Sequence, residues 1–267
     1  MKPNRNNLEG DVTVITGSTR GIGEAIARRF SKEGAAVVIT GRSTSAGKEI
    51  AGSIRETGGH ATFVESDMRS PSDISALFEA TVDEFGALDI LINNAAVQTE
   101  TDVSETTRKE WELVVETDFR SYWLCAKHAS EYIDQGTIIN ISSNHAFTTM
   151  PAHFPYNAVK TGINGMTRAM ALDFGPDIRV NTINPGWIAV ERTTEEMPDE
   201  ERQELASIHP VGRIGKPEDV AGVAAFLASD DAAFVTGAGL VVDGGRSAVM
   251  QDNTLPDYRK ARNERTR

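Results

Sequence analysis

The chain has 267 residues, of which 39% are hydrophobic and 25% charged, and this composition excludes a disordered or fibrous protein. The formal net charge of −12 argues against nucleic acid as a partner, because such a field repels polyanions. Cys125 is the single cysteine, which excludes an intrachain disulfide and a multi-cysteine zinc site, and we expect no bound metal. No apolar stretch approaches the roughly 18 to 20 residues of a membrane span, and the polar N-terminus lacks a secretory signal, so we expect a cytoplasmic protein with no membrane partner.

Seven short runs rich in β-branched residues alternate with stretches long enough to form helices. In chain order these runs are residues 12–16, 37–40, 61–64, 88–92, 137–141, 178–183 and 240–243. Between the third and fourth runs, Ser70 and Pro71 are typical of a helix N-cap and the first helical residue. Parallel strands need long right-handed crossovers, and their helices cover both faces of the sheet. The pattern therefore predicts an α/β fold, a single-domain, Rossmann-like doubly wound parallel sheet of about seven strands with helices on both faces.

One domain is expected over residues 1–247, because no linker rich in proline, glycine or serine separates two halves. An insertion at about 188–210 includes the stretch 191–204, which has seven acidic and two basic residues. It predicts either a lid over a substrate pocket or a solvated amphipathic helix. Residues 248–267 are expected to form a C-terminal extension with an excess of basic residues. Such a tail can bind anions or dock on a neighbouring subunit, but we favour a solvated extension.

A glycine-rich turn, Thr16 to Gly23 (TGSTRGIG), follows the first run and opens the first predicted helix. Glycines there permit positive φ and let the backbone approach a pyrophosphate at the positive end of a helix dipole. A tight turn without a ligand is the alternative interpretation.

Two arginines stand where an adenosine ribose would reach, Arg20 in the turn and Arg42 after the second run. Binding sites for NAD normally have a carboxylate beside this ribose, whereas an arginine can donate two hydrogen bonds to the 2′-phosphate of NADP. No acid occupies residues 40–43, so the sequence favours NADP(H), with NAD(H) possible. Plain surface charge is the alternative role for both arginines.

Tyr156 and Lys160 stand four residues apart, so on a helix their side chains share one face. A lysine ammonium beside a phenol stabilises the phenolate and makes the phenol a usable proton donor near neutral pH. Taken alone, such a pair is also typical of a helix surface. Ser143 follows the fifth run at the carboxyl edge of the predicted sheet, where its hydroxyl either binds a substrate carbonyl or caps the strand end.

Assembled in this order, the motifs resemble the short-chain dehydrogenase/reductase family over roughly residues 8–247. The resemblance rests on Thr16 to Gly23, Asp67, Asn93-Asn94-Ala95, Ser143, Tyr156-x-x-x-Lys160, Asn184-Pro185-Gly186, residues 213–221, Thr236-Gly237 and Asp243-Gly244-Gly245. It implies an NADPH-dependent oxidoreductase that transfers a hydride between the nicotinamide and a small-molecule ketone or secondary alcohol. It also implies a homotetramer or homodimer assembled through long helices around 105–130 and 155–175.

The resemblance implies a role for each matching residue. Tyr156 would act as the general acid/base, Lys160 would hold the nicotinamide ribose, and Ser143 would orient the substrate carbonyl. Cofactor contacts would come, besides Tyr156 and Lys160, from Gly17, Thr19, Arg20, Gly21, Ile22, Gly23, Arg42, Ser43, Asp67, Met68, Asn94, Ala95, Pro185, Gly186 and Ile188.

The chain departs from the family pattern at three positions. Asp118 replaces an asparagine that is the family's fourth catalytic residue, and its negative charge would oppose the effect of Lys160 on Tyr156. Ala96 replaces a glycine, and Val190 replaces a threonine that often contacts the nicotinamide carboxamide. Thr193 or Thr194 is expected to supply that hydrogen bond instead, if it is made.

Aromatic and imidazole side chains flank the predicted catalytic positions and offer a mostly apolar lining for a medium-sized apolar or cyclic ketone. The candidates for the substrate pocket are His145, Phe154 and Trp187, with Phe147 and His153 beside them. Core or subunit-contact roles are the alternative for several of them.

Other functions remain open beside the carbonyl reductase. An NADP(H)-binding pseudoenzyme or regulatory subunit would explain Asp118, Ala96 and Val190. A 3-oxoacyl-carrier-protein reductase would need a basic patch for its acidic carrier, which the net charge of −12 does not favour. A sugar dehydrogenase of the same family also fits the motifs.

Overall fold

The computed structural model describes residues 8–190 and 197–249. Its centre is a sheet of seven parallel strands, as the sequence predicts. The strands are Val12–Ile15 (β1), Ala36–Gly41 (β2), Ala61–Glu65 (β3), Ile90–Asn93 (β4), Gly136–Ile141 (β5), Ile178–Pro185 (β6) and Gly239–Val242 (β7). They lie in the order β3-β2-β1-β4-β5-β6-β7. β4 begins two residues later than expected, and Asp89, just before it, uses its carboxylate to accept a hydrogen bond from the Val12 amide at 2.7 Å.

Helices alternate with the strands and cover both faces of the sheet. They are Gly21–Lys32 (α1), Thr44–Glu56 (α2), Pro71–Phe85 (α3), Arg108–Val114 (α4), Ser121–Ala129 (α5), Tyr156–Asp173 (α6), Asp199–Ser207 (α7) and Pro217–Ala228 (α8). α3 begins as predicted, with the Ser70 hydroxyl accepting from the Asp73 amide and Pro71 at its first position. A π-helical turn, Val115–Arg120, joins α4 to α5 and makes them one nearly continuous element.

The hydrophobic core lies in two layers, because side chains of a strand alternate between the faces of the sheet. In β1, Ile15 packs into one layer and its neighbour Val14 into the other. The first layer is completed by α1 and α8, and the second by α3 and α5. These two layers fix the carboxyl ends of the central strands at one edge of the sheet.

A buried polar chain crosses the middle of the sheet. Asn93 of β4 donates to the Asn140 side chain of β5 at 2.9 Å, and Asn140 donates to Thr167 of α6 at 2.9 Å. The Thr167 hydroxyl lies 2.6 Å from that of Thr182 in β6. Because buried polar groups without partners are costly, this chain fixes three neighbouring strands and α6 in register.

The acidic stretch lies partly in the described region. α7 begins at Asp199 and contains no buried residue, which agrees with a solvated helix at this point. Residues 191–196, which include Thr193 and Thr194, and almost all of the C-terminal extension lie outside the described residues. A lid at 188–210 and a single domain over 1–247 stay predictions.

No helix among the described residues is long and apolar enough to cross a membrane. Within the same residues, no group of three or more histidine, cysteine, aspartate or glutamate side chains could hold a metal ion.

Candidate active site

The predicted site residues meet at the carboxyl edge of the sheet. β1 ends before the glycine turn, β4 before Asn94, β5 before Ser143, and β6 at Pro185. Since all strands are parallel, these ends lie on the same side, where open α/β sheets bind their ligands.

The glycine turn packs directly against the loop after β4. Gly17 has φ +64°, and a Cβ there would come within 2.7 Å of the Ala95 Cα, so any side chain would collide with backbone. Asn94 donates its side-chain amide to the carbonyls of Thr16 and Gly17, at 2.9 and 3.0 Å. Asn94 and Ala95 therefore support the shape of the turn, whatever contact they make to a cofactor.

The N-terminus of α1 can hold an anion. Arg20 occupies its N-cap with an extended backbone and makes no side-chain cap, and no other side chain in the described part of the chain caps the first amides of Gly21, Ile22 and Gly23. A helix end of this kind favours a phosphate electrostatically. Val190 lies over the turn, because a Cβ on Gly21 would sit 3.2 Å from its Cγ1 atom.

The far end of the turn meets the ends of β2 and β3. Thr19 lies against Gly41, whose added Cβ would come 2.9 Å from the Thr19 methyl, and Arg42 and Ser43 follow, both exposed. Arg69 binds both oxygens of the Asp67 carboxylate, and this hydrogen bonding, helped by the charge of Arg42, lowers the pKa of Asp67. No motif in the sequence predicts that Arg69 binds Asp67.

Met68 takes a different position from its neighbour Asp67. Its side chain is buried in the core, where its sulfur lies 4.0 Å from that of Cys125. A contact from Met68 to an adenine would therefore have to come from its backbone.

Tyr156 and Lys160 lie on one face of α6, as their spacing predicts. The Lys160 ammonium is buried and lies 5.3 Å from the centre of the Tyr156 ring. Ser143 lies just beyond β5, where its hydroxyl oxygen accepts from the His145 amide at 3.2 Å. Ser143 thus caps the turn after β5 while standing at the ligand edge, so both of its predicted roles are compatible.

Asp118 lies in the π-helical turn and is wholly buried. One carboxylate oxygen accepts from the Val97 amide at 2.8 Å, and the other lies 3.2 Å from the Lys160 ammonium. Burial raises the pKa of the Asp118 carboxyl, and the charge of Lys160 opposes that shift. The structure thereby brings the departure at residue 118 into direct contact with the predicted catalytic lysine.

Tyr122 completes the surroundings of Lys160, and sequence reasoning missed it. Its ring centre lies 5.5 Å from the ammonium, and its hydroxyl donates to the Ile141 carbonyl at 3.0 Å. Lys160 donates to the same carbonyl at 3.2 Å. Burial lowers the pKa of Lys160, but Tyr122 and Asp118 more than offset this, so the net shift is upward and the side chain is an ammonium ion. The four-residue spacing from Asp118 to Tyr122 was the available signal.

The segment after β6 closes the other side of the edge. Gly186 packs against Asp243, since a Cβ on it would lie 2.5 Å from the Asp243 Cβ. Ile188 is buried and forms an isolated β-bridge with Gly215. Trp187, directly before Ile188, is partly buried. Pro185, Gly186 and Ile188 thus reach the same edge as the glycine turn.

The candidate pocket residues divide into two groups. His145 stands edge-on to the Tyr156 ring at 5.9 Å between centres and stacks on His153 at 4.5 Å. Phe154 instead contacts Trp111 of α4 at 5.6 Å, a partner that the sequence did not suggest. Phe147, with 57% of its surface exposed, points largely to solvent.

Comparison with known proteins identifies the family. The family model described as enoyl-(acyl carrier protein) reductase matches residues 17–247. Glucose 1-dehydrogenase 2 of Bacillus subtilis is 38% identical over 246 residues, which cover 90% of this chain and 95% of the relative. The 3beta-hydroxysteroid dehydrogenase 1 of Eggerthella lenta is 38% identical, with 90% and 94% covered. A putative short-chain alcohol dehydrogenase from Sinorhizobium meliloti superposes with a TM-score of 0.87 at 33% identity, covering 92% of this chain and all of that one.

The chain belongs to the short-chain dehydrogenase/reductase family. As a member it is an oxidoreductase that acts between a CH–OH group and a carbonyl, and the family works with NAD(P)(H) on small molecules. Of its departures from the short-chain dehydrogenase/reductase pattern, Ala96 is exposed and has no positive φ, so its methyl group strains nothing. Asp118 places a negative charge beside Lys160, and Val190 puts an apolar group over the glycine turn.

Proposed function

We propose that the protein is an NADPH-dependent carbonyl reductase that also oxidises the corresponding secondary alcohol, with Tyr156 as general acid/base. The observation that carries this proposal is the arrangement of Tyr156, Lys160 and Ser143 at the ligand edge, with the ammonium 5.3 Å from the phenol ring. A phenol beside an ammonium can give a proton to a carbonyl oxygen and take it back from an alcohol.

The residues around the glycine turn fit a dinucleotide. The uncapped N-terminus of α1 suits the pyrophosphate, and the close packing of Gly17 on Ala95 leaves the turn without side chains that would block it. The nicotinamide, when bound, supplies or accepts the hydride. Pro185, Gly186 and Ile188 would lie beside it, with Asn94 and Ala95 along the adenosine half.

The protein's own groups manage the proton. Tyr156 donates it to the substrate oxygen, and the Ser143 hydroxyl donates a hydrogen bond to the same atom, which stabilises the developing negative charge. Lys160 has three N–H donors, of which the Ile141 carbonyl accepts one, while Asp118 pairs with the ammonium through its charge at 3.2 Å. A donor is thus available for a ribose hydroxyl of the cofactor.

Asp118 tunes this arrangement in our proposal. Its carboxylate, 3.2 Å from the ammonium, offsets part of the positive charge that stabilises the Tyr156 phenolate. The Asp118 charge therefore weakens the stabilisation of the phenolate, which favours reduction of a carbonyl over oxidation of an alcohol.

The preference for NADP(H) rests on Arg20 and Arg42. Both are exposed at the ends of the glycine turn and β2, and the charge of Arg42 contributes to the lowered pKa of Asp67. Two cations here suit a 2′-phosphate better than two ribose hydroxyls. The cytoplasmic location and the single domain stay predictions.

The substrate is proposed to be a small free molecule. An acyl-carrier protein is acidic, and the net charge of −12 together with Asp199, Glu200 and Glu201 at the start of α7 would repel it. A binding or regulatory role is the second candidate, because the buried Asp118–Lys160 pair weakens the charge on which the tyrosine depends.

Initial rates of NADPH and NADH oxidation over a panel of cyclic ketones, β-keto esters, steroids and sugars test the proposal, with Tyr156→Phe as the comparison. We expect turnover with NADPH that falls at least about a hundredfold in Tyr156→Phe while NADPH binding, followed by its fluorescence, is kept. NADPH binding without turnover of any panel member would favour the binding role. Faster turnover with NADH would overturn the role given to the two arginines.

A further inference from the structure

Two imidazole rings lie beside Tyr156 at the ligand edge of the sheet. The rings of His145 and His153 stack with 4.5 Å between centres and 12° between planes, and His145 meets the edge of Tyr156. The general role proposed above for Tyr156 does not use either histidine. Because they lie beside the proposed proton donor, they are candidates for binding a part of the substrate that does not react.

The local backbone fixes this stack. Ser143 caps the short 3₁₀ turn Asn144–Ala146 that carries His145. Ala152, directly before His153, has φ +61°, the one positive φ of a non-glycine residue in the described part of the chain. Such a conformation is strained and is found at ligand sites, where surrounding contacts hold it. Both rings are therefore positioned by groups next to the reacting residues.

Hydrogen bonds at the Nδ1 atoms leave the Nε2 atoms for a ligand. His153 Nδ1 lies 2.8 Å from the Pro151 carbonyl, which can only accept, so this nitrogen carries the proton. Neutral His153 consequently presents a lone pair at Nε2. His145 Nδ1 lies 3.0 Å from the Thr149 hydroxyl. Neither Nε2 atom has a hydrogen-bond partner among the described residues.

The pair suits a neutral group better than an anion. Burial and the neighbouring His153 lower the pKa of His145, which disfavours its charged form. A carboxylate needs an N–H donor, and His153 could supply one at Nε2 only by taking up a second proton, which would place a charge against the stacked His145 ring. The net charge of −12 also repels an anion. A hydroxyl can donate to the Nε2 lone pair without any proton uptake.

We infer that the His145–His153 pair binds a hydroxyl group of the substrate, remote from the reacting carbon, and selects neutral hydroxylated cyclic ketones and alcohols. This inference rests on the proposed reductase activity. Phe154 and Trp111, in contact at 5.6 Å, lie on the segments next to the pair and add an apolar surface for a ring.

Three ketones of one ring size test the inference by kinetics: cyclohexanone, 4-hydroxycyclohexanone and 4-oxocyclohexanecarboxylate. With NADPH, we expect kcat/KM for the hydroxyl compound to exceed that for cyclohexanone about tenfold. His153→Phe keeps an aromatic ring on His145 and should abolish this preference, so that the ratio of the two kcat/KM values falls to about one. His153→Gln restores a hydrogen-bonding group near the Nε2 position and should recover part of it.

A binding measurement makes the result independent of turnover. In the presence of NADPH, which cannot oxidise an alcohol, 1,4-cyclohexanediol should shift the imidazole C–H resonances of His145 and His153 more than cyclohexanol does. The diol should produce no such shift of His145 in His153→Phe. Equal shifts from both alcohols, or larger shifts from cyclohexanecarboxylate, would overturn the inference. Reduction of cyclohexanone with no preference for its hydroxyl derivative would overturn the inference while the proposed function stands. Selective binding of the diol without reduction of any ketone would overturn the proposed function while the binding role of the histidine pair stands.

Discussion

At the scale of residues, the surroundings of Lys160 distinguish this protein. The ammonium ion lies between the rings of Tyr156 and Tyr122, donates to a backbone carbonyl and pairs with Asp118, all in the buried interior. Replacing the Asp118 carboxylate by its isosteric amide removes the negative charge beside Lys160 but keeps the packing of the side chain. Asp118→Asn is therefore the informative substitution.

Asp118→Asn should shift the pH dependence of both reactions toward lower pH, because Lys160 then keeps its full positive charge beside the Tyr156 phenolate. Ketone reduction, which needs the Tyr156 phenol, would be lost at a lower pH than in the wild type. Alcohol oxidation, which needs the phenolate, would begin at a lower pH. The measurement is kcat/KM in both directions from pH 6 to 11.

Glu112→Gln is the matched control for Asp118→Asn, because Glu112 is an exposed acid on the neighbouring α4, paired with Arg108. It removes the same charge and should leave both profiles unchanged. Identical profiles for Asp118→Asn and the wild type would show that Asp118 does not tune the tyrosine.

Arg42→Asp should reverse the cofactor preference. An acid at the end of β2 repels a 2′-phosphate and can accept from the ribose hydroxyls, so the ratio of kcat/KM for NADPH over NADH should fall about a hundredfold or more. Arg168→Asp, an exposed substitution of equal charge on α6, controls for the general field. A ratio that Arg42→Asp leaves unaltered would mean that Arg42 is a plain surface charge.

At the scale of elements, the buried polar chain from Asn93 through Asn140 and Thr167 to Thr182 joins the strands beneath the site. Asn140→Ala would leave the Asn93 amide and the Thr167 hydroxyl without this partner and should lower the free energy of unfolding by about 3 kcal/mol. Chemical denaturation measures it, with exposed Gln135→Ala as a control expected within about 0.5 kcal/mol. A loss for Asn140→Ala as small as the control's would remove the chain from the account of stability.

The same elements show how far the sequence predicts this structure. Seven strands, the start of α3 at Pro71 and the shared face of Tyr156 and Lys160 followed from local patterns, because buried parallel strands and helix caps have local signatures. The π-helical turn, Tyr122 beside Lys160 and the Asp67–Arg69 pair did not. Tyr122 and Lys160 lie on segments distant in sequence, and the π-helical turn is a change of helical pitch. Asp67 and Arg69 are only two residues apart, but they lie in a loop, where no periodic pattern applies.

At the scale of the whole molecule, several large apolar side chains are exposed among the described residues. Leu172, near the end of α6, is 83% exposed and Phe234 is fully exposed. The loop after α8 lies against this part of α6, since a Cβ on Gly237 would be 3.6 Å from the Ala171 methyl. A patch of this kind marks an interface, which supports the proposed homotetramer or homodimer.

Native mass spectrometry should find multiples of the 28.9 kDa chain. The double substitution Leu172→Asp with Phe234→Asp should lower the assembly state, because it puts charge into an apolar contact. Val103→Asp, at an exposed valine of the loop before α4, should leave the assembly intact. A monomeric wild type would contradict this assignment.

Single-turnover transfer from NADPH that carries deuterium at both C4 positions of the nicotinamide tests directly whether this protein moves a hydride to a ketone with the help of the Tyr156 proton. Mass spectrometry locates the label in the product. We expect deuterium at the carbinol carbon of a ketone-derived alcohol with the wild type, and at least about a hundredfold slower transfer by Tyr156→Phe with NADPH still bound. Transfer that is undiminished in Tyr156→Phe, or NADPH bound by the wild type with no label in any product of the ketone panel, would contradict it.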